Sequence, residues 1–161
     1  MRVNGYVIEP GADLTNAVLQ DQDLSGADLR GAILRANLAN SDLRGANLAG
    51  ATLKFAYLVS ANLQGANLSG AYMKNVQLRL ADLERVNMEA ANLVDACLAG
   101  ANLRSACLVD ANLEDADLRG ADLSGADLTN AILTDARLDG VLQDEATIWP
   151  AGFDPPTSES S

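Results

Sequence analysis

Histidine is missing altogether from this chain of 161 residues. With it go the imidazole general base, the Ser-His-Asp and Cys-His nucleophile pairs, and every zinc site that needs a His ligand. Aromatic residues are scarce: one Trp, three Tyr and two Phe make up 4% of the chain, so any core must be filled by aliphatic side chains. Two cysteines, Cys97 and Cys107, are too few for a secreted disulfide scaffold and form no Cys-x-x-Cys pair. Positive charge is short as well, 11 Lys and Arg against 22 Asp and Glu for a net charge of -11. Binding to nucleic acid or to an anionic membrane needs clustered cations. The opening residues, MRVNGYVIEPGADL, interrupt any apolar run with Gly, Glu and Pro, and no window approaches the ~18 apolar residues of a membrane span. The expectation is a cytoplasmic, non-catalytic chain without cofactor or metal, binding neither nucleic acid directly nor a membrane.

What the sequence has in abundance is repetition. ADLTN, ADLRG, ANLAG, ANLQG, ANLSG, ANLVD and ANLED share the unit A(D/N)LXX. From Leu38 to Leu138 the central residue recurs every five positions and is Leu except at Met73 and Met88; an earlier block runs through Leu14, Leu19, Leu24, Leu29 and Leu34. A period of five suits neither regular element. On an α-helix each step advances about 140° beyond a full turn, so no stripe forms. On an uninterrupted strand, successive leucines would alternate faces. The backbone must therefore bend once per repeat. Four units, each one extended side and one corner, close a square of about 20 residues with every leucine inside, and squares stack as a solenoid. About seven coils give a rod roughly 34 Å long at the spacing of paired strands. Within a unit Ala and Leu share the inward side while Asp or Asn points out. Gly45, Gly65, Gly70, Gly120 and Gly125 fall at the corner, where turn geometry is needed.

Tandem A(D/N)LXX units from Ala12 to Ile148 closely resemble the pentapeptide-repeat protein family. The resemblance implies an all-β fold, a right-handed quadrilateral β-helix, with the first and third residues of each unit inward. The ending ATIWPAGFDP is similar to a frequent terminal segment of that family. The expected organisation is an N-terminal cap at 1–11, the β-helix at 12–148, and a C-terminal cap with a flexible tail at 149–161. The resemblance further implies proteins common in cyanobacteria and mostly without an assigned activity. Some members bind DNA gyrase as an acidic DNA mimic and give quinolone resistance. Against that alternative stand the absence of central Phe residues and a basic middle section.

A solenoid needs its open ends covered. Tyr6, Val7 and Ile8 are expected to plug one end and Trp149 and Phe153 the other, the last two alternatively as a dimer contact, with Asp154 to Ser161 as a frayed tail. Leu34 and Leu38 are four apart, so one corner lacks a residue; nearby, Gln22 and Ser41 stand at inward positions usually held by Ala. Stacking by 20 makes a column of Asp42, Asn62, Asp82, Asn102 and Asp122, in which carboxylates alternate with amides. Another column, Asn75, Asp95, Asp115 and Asp135, keeps three carboxylates adjacent with Glu114 beside them. It reads as a solvated corner or as a contact for a basic partner. Charge is uneven along the rod: residues 43–81 carry four basic and no acidic groups, whereas 82–161 carry four and 16. The basic section collects Lys54, Phe55, Tyr57, Tyr72, Lys74, Arg79 and Leu80. Tyr72 and the two lysines are expected on one face, with Phe55 and Tyr57 at its edge, as a contact patch. Cys97 and Cys107 lie half a coil apart and are expected as free thiols. The reading is a non-catalytic structural or protein-interaction chain with an unidentified protein partner, monomeric or a weak homodimer through an end of the helix.

Overall fold

The computed structural model describes residues 1–157. The chain winds into stacked square coils, and one repeat shows why. In the unit Ala46 to Gly50, the Ala46 N–H closes a tight turn on the Leu43 carbonyl at 3.0 Å. The Asn47 N–H reaches the preceding coil at the Ala27 carbonyl (2.9 Å). The Leu48 and Gly50 N–H groups reach the following coil at Asn67 and Ser69 (2.7 and 2.9 Å). The remaining N–H, of Ala49, donates to the Asn47 side-chain Oδ1 at 3.2 Å. All five donors are paired. The outward Asp or Asn is thus an Asx-turn acceptor that satisfies the corner two residues on, which is why the unit favours that pair of residues. The same bond recurs at Asp13, Asp42, Asn62, Asn92 and Asp122.

Each side of the square is so short that coils pair through single parallel bridges, Asp42 to Asn62 to Asp82 for instance, rather than through long strands. The last residue of the unit turns the corner with φ near +60°, as at Gly45 (62°), Asn75 (59°) and Asp95 (57°). Gly, Asn and Asp enter that left-handed region at least cost. Inside, Leu and Ala fill the tube; Leu48, Leu68, Met73 and Met88 have no exposed surface.

The bridges define four walls. Wall 1 runs through Asp42, Asn62, Asp82, Asn102 and Asp122; wall 2 through Asn47, Asn67, Asn87, Cys107 and Asp127. Wall 3 runs through Ile33, Thr52, Tyr72, Asn92, Asn112 and Ile132; wall 4 through Asn37, Tyr57, Gln77, Cys97 and Asp117. Bridges across the shortened corner join residues 19 apart, Asp23 to Asp42 and Ile33 to Thr52, before the spacing returns to 20 at Asn37 to Tyr57. At the far end Asp127 pairs with Ile148, 21 residues on.

The ends and the early coils correct two expectations. The N-terminal cap is a hairpin of β1 (Arg2–Val3) and β2 (Tyr6–Val7). Strand alternation sends Val3, Tyr6 and Ile8 against the core and leaves Val7 37% exposed, so Val7 is not a plug. Gln22 is not buried at its inward position; it is half-exposed and its Nε2 donates to the Gln20 carbonyl at 3.1 Å, because a long polar side chain costs less at the surface. Ser41 is buried, and its hydroxyl donates to the Leu38 carbonyl at 2.6 Å. At the C-terminal end the Trp149 and Phe153 rings stack at 5.2 Å and pack on the core. Trp149 Nε1 donates to Gln143 Oε1 (2.7 Å), and Gln143 Nε2 donates to the Pro156 carbonyl (2.6 Å). The last part of the expected tail, residues 158–161, lies outside the described residues. Among the described residues no helix is long and apolar enough to cross a membrane.

Candidate interaction surface

The Asx-turn rule separates residues that hold the coil together from residues that do not. Wall 1 obeys it from Asp23 through Asp122, and wall 2 obeys it at Asp28, Asn47, Asn67, Asn87 and Asp127. Apart from Cys107 on wall 2, the departures between Asp23 and Asp127 gather on the other two walls. Ile33, Tyr72 and Ile132 on wall 3, and Val18, Tyr57 and Cys97 on wall 4, have no carboxylate or amide to offer the corner. The missing hydrogen bonds and the exposed apolar groups coincide: Ile33 is 36%, Tyr57 47% and Ile132 47% exposed.

Walls 3 and 4 meet at a single edge of the rod, and that edge contains the shortened corner. In each complete coil it holds two residues, Lys54–Phe55, Lys74–Asn75, Val94–Asp95, Glu114–Asp115 and Thr134–Asp135; in the second coil it holds Arg35 alone. Phe55 stands next above the gap, with φ of 62° and 56% of its surface exposed. Lys54 Nζ lies 5.0 Å from the centre of its ring, a cation–π contact. Lys74 Nζ is 3.4 Å from Asp95 on the same edge. The side chains of the expected patch do not share one face. Tyr72 faces out from wall 3 and Tyr57 from wall 4, because 15 residues are three quarters of a coil, and the lysines and Phe55 occupy the corner between them. Leu80 lies on the next edge round, its Cδ2 over Gly100 where a Cβ would approach to 2.8 Å.

The acidic column has a local cause. Asp95, Asp115 and Asp135 are the left-handed corner residues, with φ of 57°, 58° and 56°, and Asp tolerates that conformation. Other carboxylates are held by neighbours. The guanidinium groups of Arg30, Arg44 and Arg119 keep Asp28, Asp42 and Asp117 below the ordinary carboxylate range. Thr15 and Ser25 do the same for Asp13 and Asp23 through hydrogen bonds. Cys97 and Cys107 sit on opposite walls as free, half-buried thiols.

Two groups were not foreseen. Asp144 supplies from its side chain the acceptor that the next coil would provide, its Oδ1 taking the Gly125 N–H at 2.9 Å and the Ala146 N–H at 3.0 Å. Those bonds, the one from Gly125 first, hold its carboxyl below the ordinary range. Arg35 was visible only as part of an irregular stretch, although a four-residue spacing implies a corner with one residue. A shallow cleft at the C-terminal end lies between Ala131–Thr134 and Pro150–Phe153.

Closed walls and a filled aliphatic core define a quadrilateral solenoid of the β-helix class. A family model described as pentapeptide repeats matches residues 11–35, 36–75, 61–104 and 106–142 in eight copies, and the chain belongs to that family. It is a right-handed quadrilateral β-helix. A solved pentapeptide-repeat protein from the Arabidopsis thaliana thylakoid lumen is 30% identical, covering 73% of this chain and 72% of that one, with a TM-score of 0.53. The pentapeptide-repeat protein Rfr23 from the cyanobacterium Cyanothece is 25% identical over 88% and 90% of the two chains, with a TM-score of 0.39. QnrB1, a plasmid-mediated fluoroquinolone resistance protein, is 22% identical over 87% and 89%, with a TM-score of 0.38. No curated protein matches the chain.

Proposed function

We propose that this chain is a non-catalytic, cytoplasmic interaction module that engages a protein partner through the edge between walls 3 and 4 and the wall-3 side chains beside it. Phe55 carries the reading. A left-handed conformation costs a bulky residue about 1–2 kcal/mol, and the same column elsewhere holds Asn or Asp, which adopt it readily. An exposed ring kept in a strained position has its value outside the fold. Tyr57 and Tyr72 on the adjoining walls add aromatic groups of the kind that dominate contact energies, and Lys54 and Lys74 share its edge. The acidic-mimic alternative draws less support, since Asp28, Asp42 and Asp117 are each paired with an arginine two residues on.

The test is affinity capture from the source organism's lysate, comparing the intact chain with Phe55→Asn and with a variant neutralised at Asp95, Asp115 and Asp135. Loss of specific partners with Phe55→Asn alone supports the aromatic corner. Equal recovery by all three chains removes it.

A further inference from the structure

We infer that the partner fitted by wall 3 is a second copy of this chain, lying antiparallel along it. This rests on the reading that the rod works through that wall and edge. Three features of the surface agree on it. First, from Ile33 to Ile132 the outward residues of wall 3 carry no charge, whereas each other wall includes at least one carboxylate in the same coils. Second, the uncharged stretch begins and ends on exposed isoleucine, 36% and 47%, with Tyr72 at its middle, 38% exposed. Third, the neighbouring edge is divided by sign. Its lower half reads Arg35, Lys54, Lys74 and its upper half Asp95, Glu114 with Asp115, then Asp135.

A two-fold axis across the wall, between the coils of Tyr72 and Asn92, reverses the order of coils and keeps this edge against its own copy. That operation sets Ile33 against Ile132, Thr52 against Asn112, and Tyr72 against Asn92. At the edge it sets Arg35 opposite Asp135, Lys54 opposite Glu114 and Asp115, and Lys74 opposite Asp95. Each pair occurs twice, as an isologous contact requires. The other edge of wall 3 brings no like charges together in this register, since Arg30 meets Thr129 and Asn130, and Glu89 meets Ser69 and Gly70. Parallel pairing instead puts Arg35 beside Arg30 and Glu114 beside Asp110, like charge on like charge. The wall is about 24 Å from first to last isoleucine at the coil spacing. A strip of that length buries a few hundred Å² per chain, below the roughly 800 Å² of a standard stable interface, so the pairing is reversible and depends on salt.

The experiment is sedimentation velocity of the full chain over a wide concentration range, at low and at high salt. The expected result is a monomer–dimer equilibrium whose dissociation constant rises at least tenfold in high salt. Two charge-reversed chains, Lys54→Glu and Glu114→Lys with Asp115→Lys, are each expected to be monomeric with unchanged circular dichroism, and to associate when mixed one to one. Association by neither mixture nor parent overturns the inference, and so does a dimer that survives both reversals, which would be joined at the ends. As a second measurement, Ile33→Cys with Ile132→Cys, in a chain lacking Cys97 and Cys107, is expected to cross-link into a dimer under mild oxidation; failure to do so at dimer-forming concentrations rejects the register. A monomeric chain whose capture of other proteins still requires Phe55 overturns this inference and leaves the proposed function standing. A salt-sensitive dimer indifferent to Phe55→Asn capture does the reverse.

Discussion

Replacing Asn92 by alanine removes a single hydrogen bond from the middle of the rod. Its Oδ1 accepts the Val94 N–H at 3.2 Å, and the bridge partners on either side, Tyr72 and Asn112, are uncharged, so no electrostatic change confounds the result. The Val94 N–H is left to solvent at a half-buried corner. An intramolecular bond of this kind contributes about 0.5–1.5 kcal/mol net, and the loss of a side-chain acceptor at the analogous helix cap costs about 1 kcal/mol. The expectation is a loss near 1 kcal/mol. In urea, with an m-value of roughly 2 kcal/mol/M, the midpoint falls by about 0.5 M at unchanged slope. Asn92→Asp keeps an acceptor at the same atom and is expected to stay within about 0.3 kcal/mol of the parent at neutral pH. Asn92→Gln moves the amide one methylene beyond the corner and should behave like alanine. Should alanine cost nothing, or glutamine serve as well as asparagine, the Asx-turn account of why the repeat contains Asp or Asn is wrong.

Leu68→Ala, at a position without exposed surface, is expected to cost about 3–5 kcal/mol by equilibrium unfolding, several times the Asn92 effect, because the tube cannot collapse around the cavity. Gly100→Ala forces a Cβ to 2.8 Å from Leu80 Cδ2 at a φ of 67°, whereas at Gly50 the added atom meets nothing within 4 Å. Gly50→Ala should therefore cost about 1 kcal/mol of backbone strain, and Gly100→Ala more, the excess disappearing in a Leu80→Ala background. Acid stability follows from Asp13, Asp23, Asp28, Asp42, Asp117 and Asp144, whose folded pKa values are depressed below 3.8. The stability they contribute is complete above that value and is lost as pH falls through the folded values; a melting temperature that stays flat down to about pH 3 would contradict it. With no histidine to titrate, little change is expected between about pH 5 and pH 7.

The period of five leads to the square coil because neither helix nor strand can bury residues at that spacing, and the columns of 20 follow by arithmetic. That is why Asp42, Asn62 and Asp82 stack as expected and why Cys97 and Cys107 face opposite walls. What escaped was whatever depended on counting hydrogen-bond donors or on a break in the period. The outward Asp or Asn reads as a solvent-facing residue until the fifth N–H of the unit is asked for its partner. Asp144 is invisible to pattern because it acts where the last coil gains a residue, so that its side chain replaces a missing carbonyl. Val7 faces solvent because a short hairpin alternates its residues, so three consecutive positions cannot all plug the end. Tyr57 lies on the wall adjacent to Tyr72 because 15 positions are three quarters of a coil.

In a solenoid of this kind the inward and outward residues answer to different demands. Leu and Ala fix the tube, one Asx acceptor per side fixes the corner, and a left-handed residue closes it. Any outward position that gives up the acceptor, or any corner that keeps a bulky residue with positive φ, costs stability without improving the core. Scattered evenly, such exceptions would mean only that the fold tolerates them. The lost acceptors are not scattered: wall 1 has none from Asp23 to Asp122, while Ile33, Tyr57, Tyr72 and Ile132 lie on two adjoining walls with Phe55 on the edge between them; the bulky corners Leu80 and Arg85 fall on other edges. The shortened corner lies on that same edge, directly below Phe55. A deletion unrelated to binding would have been as acceptable at any of the four edges. Its coincidence with the strained ring ties the irregular coil to the surface proposed for contact, and restoring a residue after Arg35 should therefore alter binding through that edge more than it alters the melting temperature.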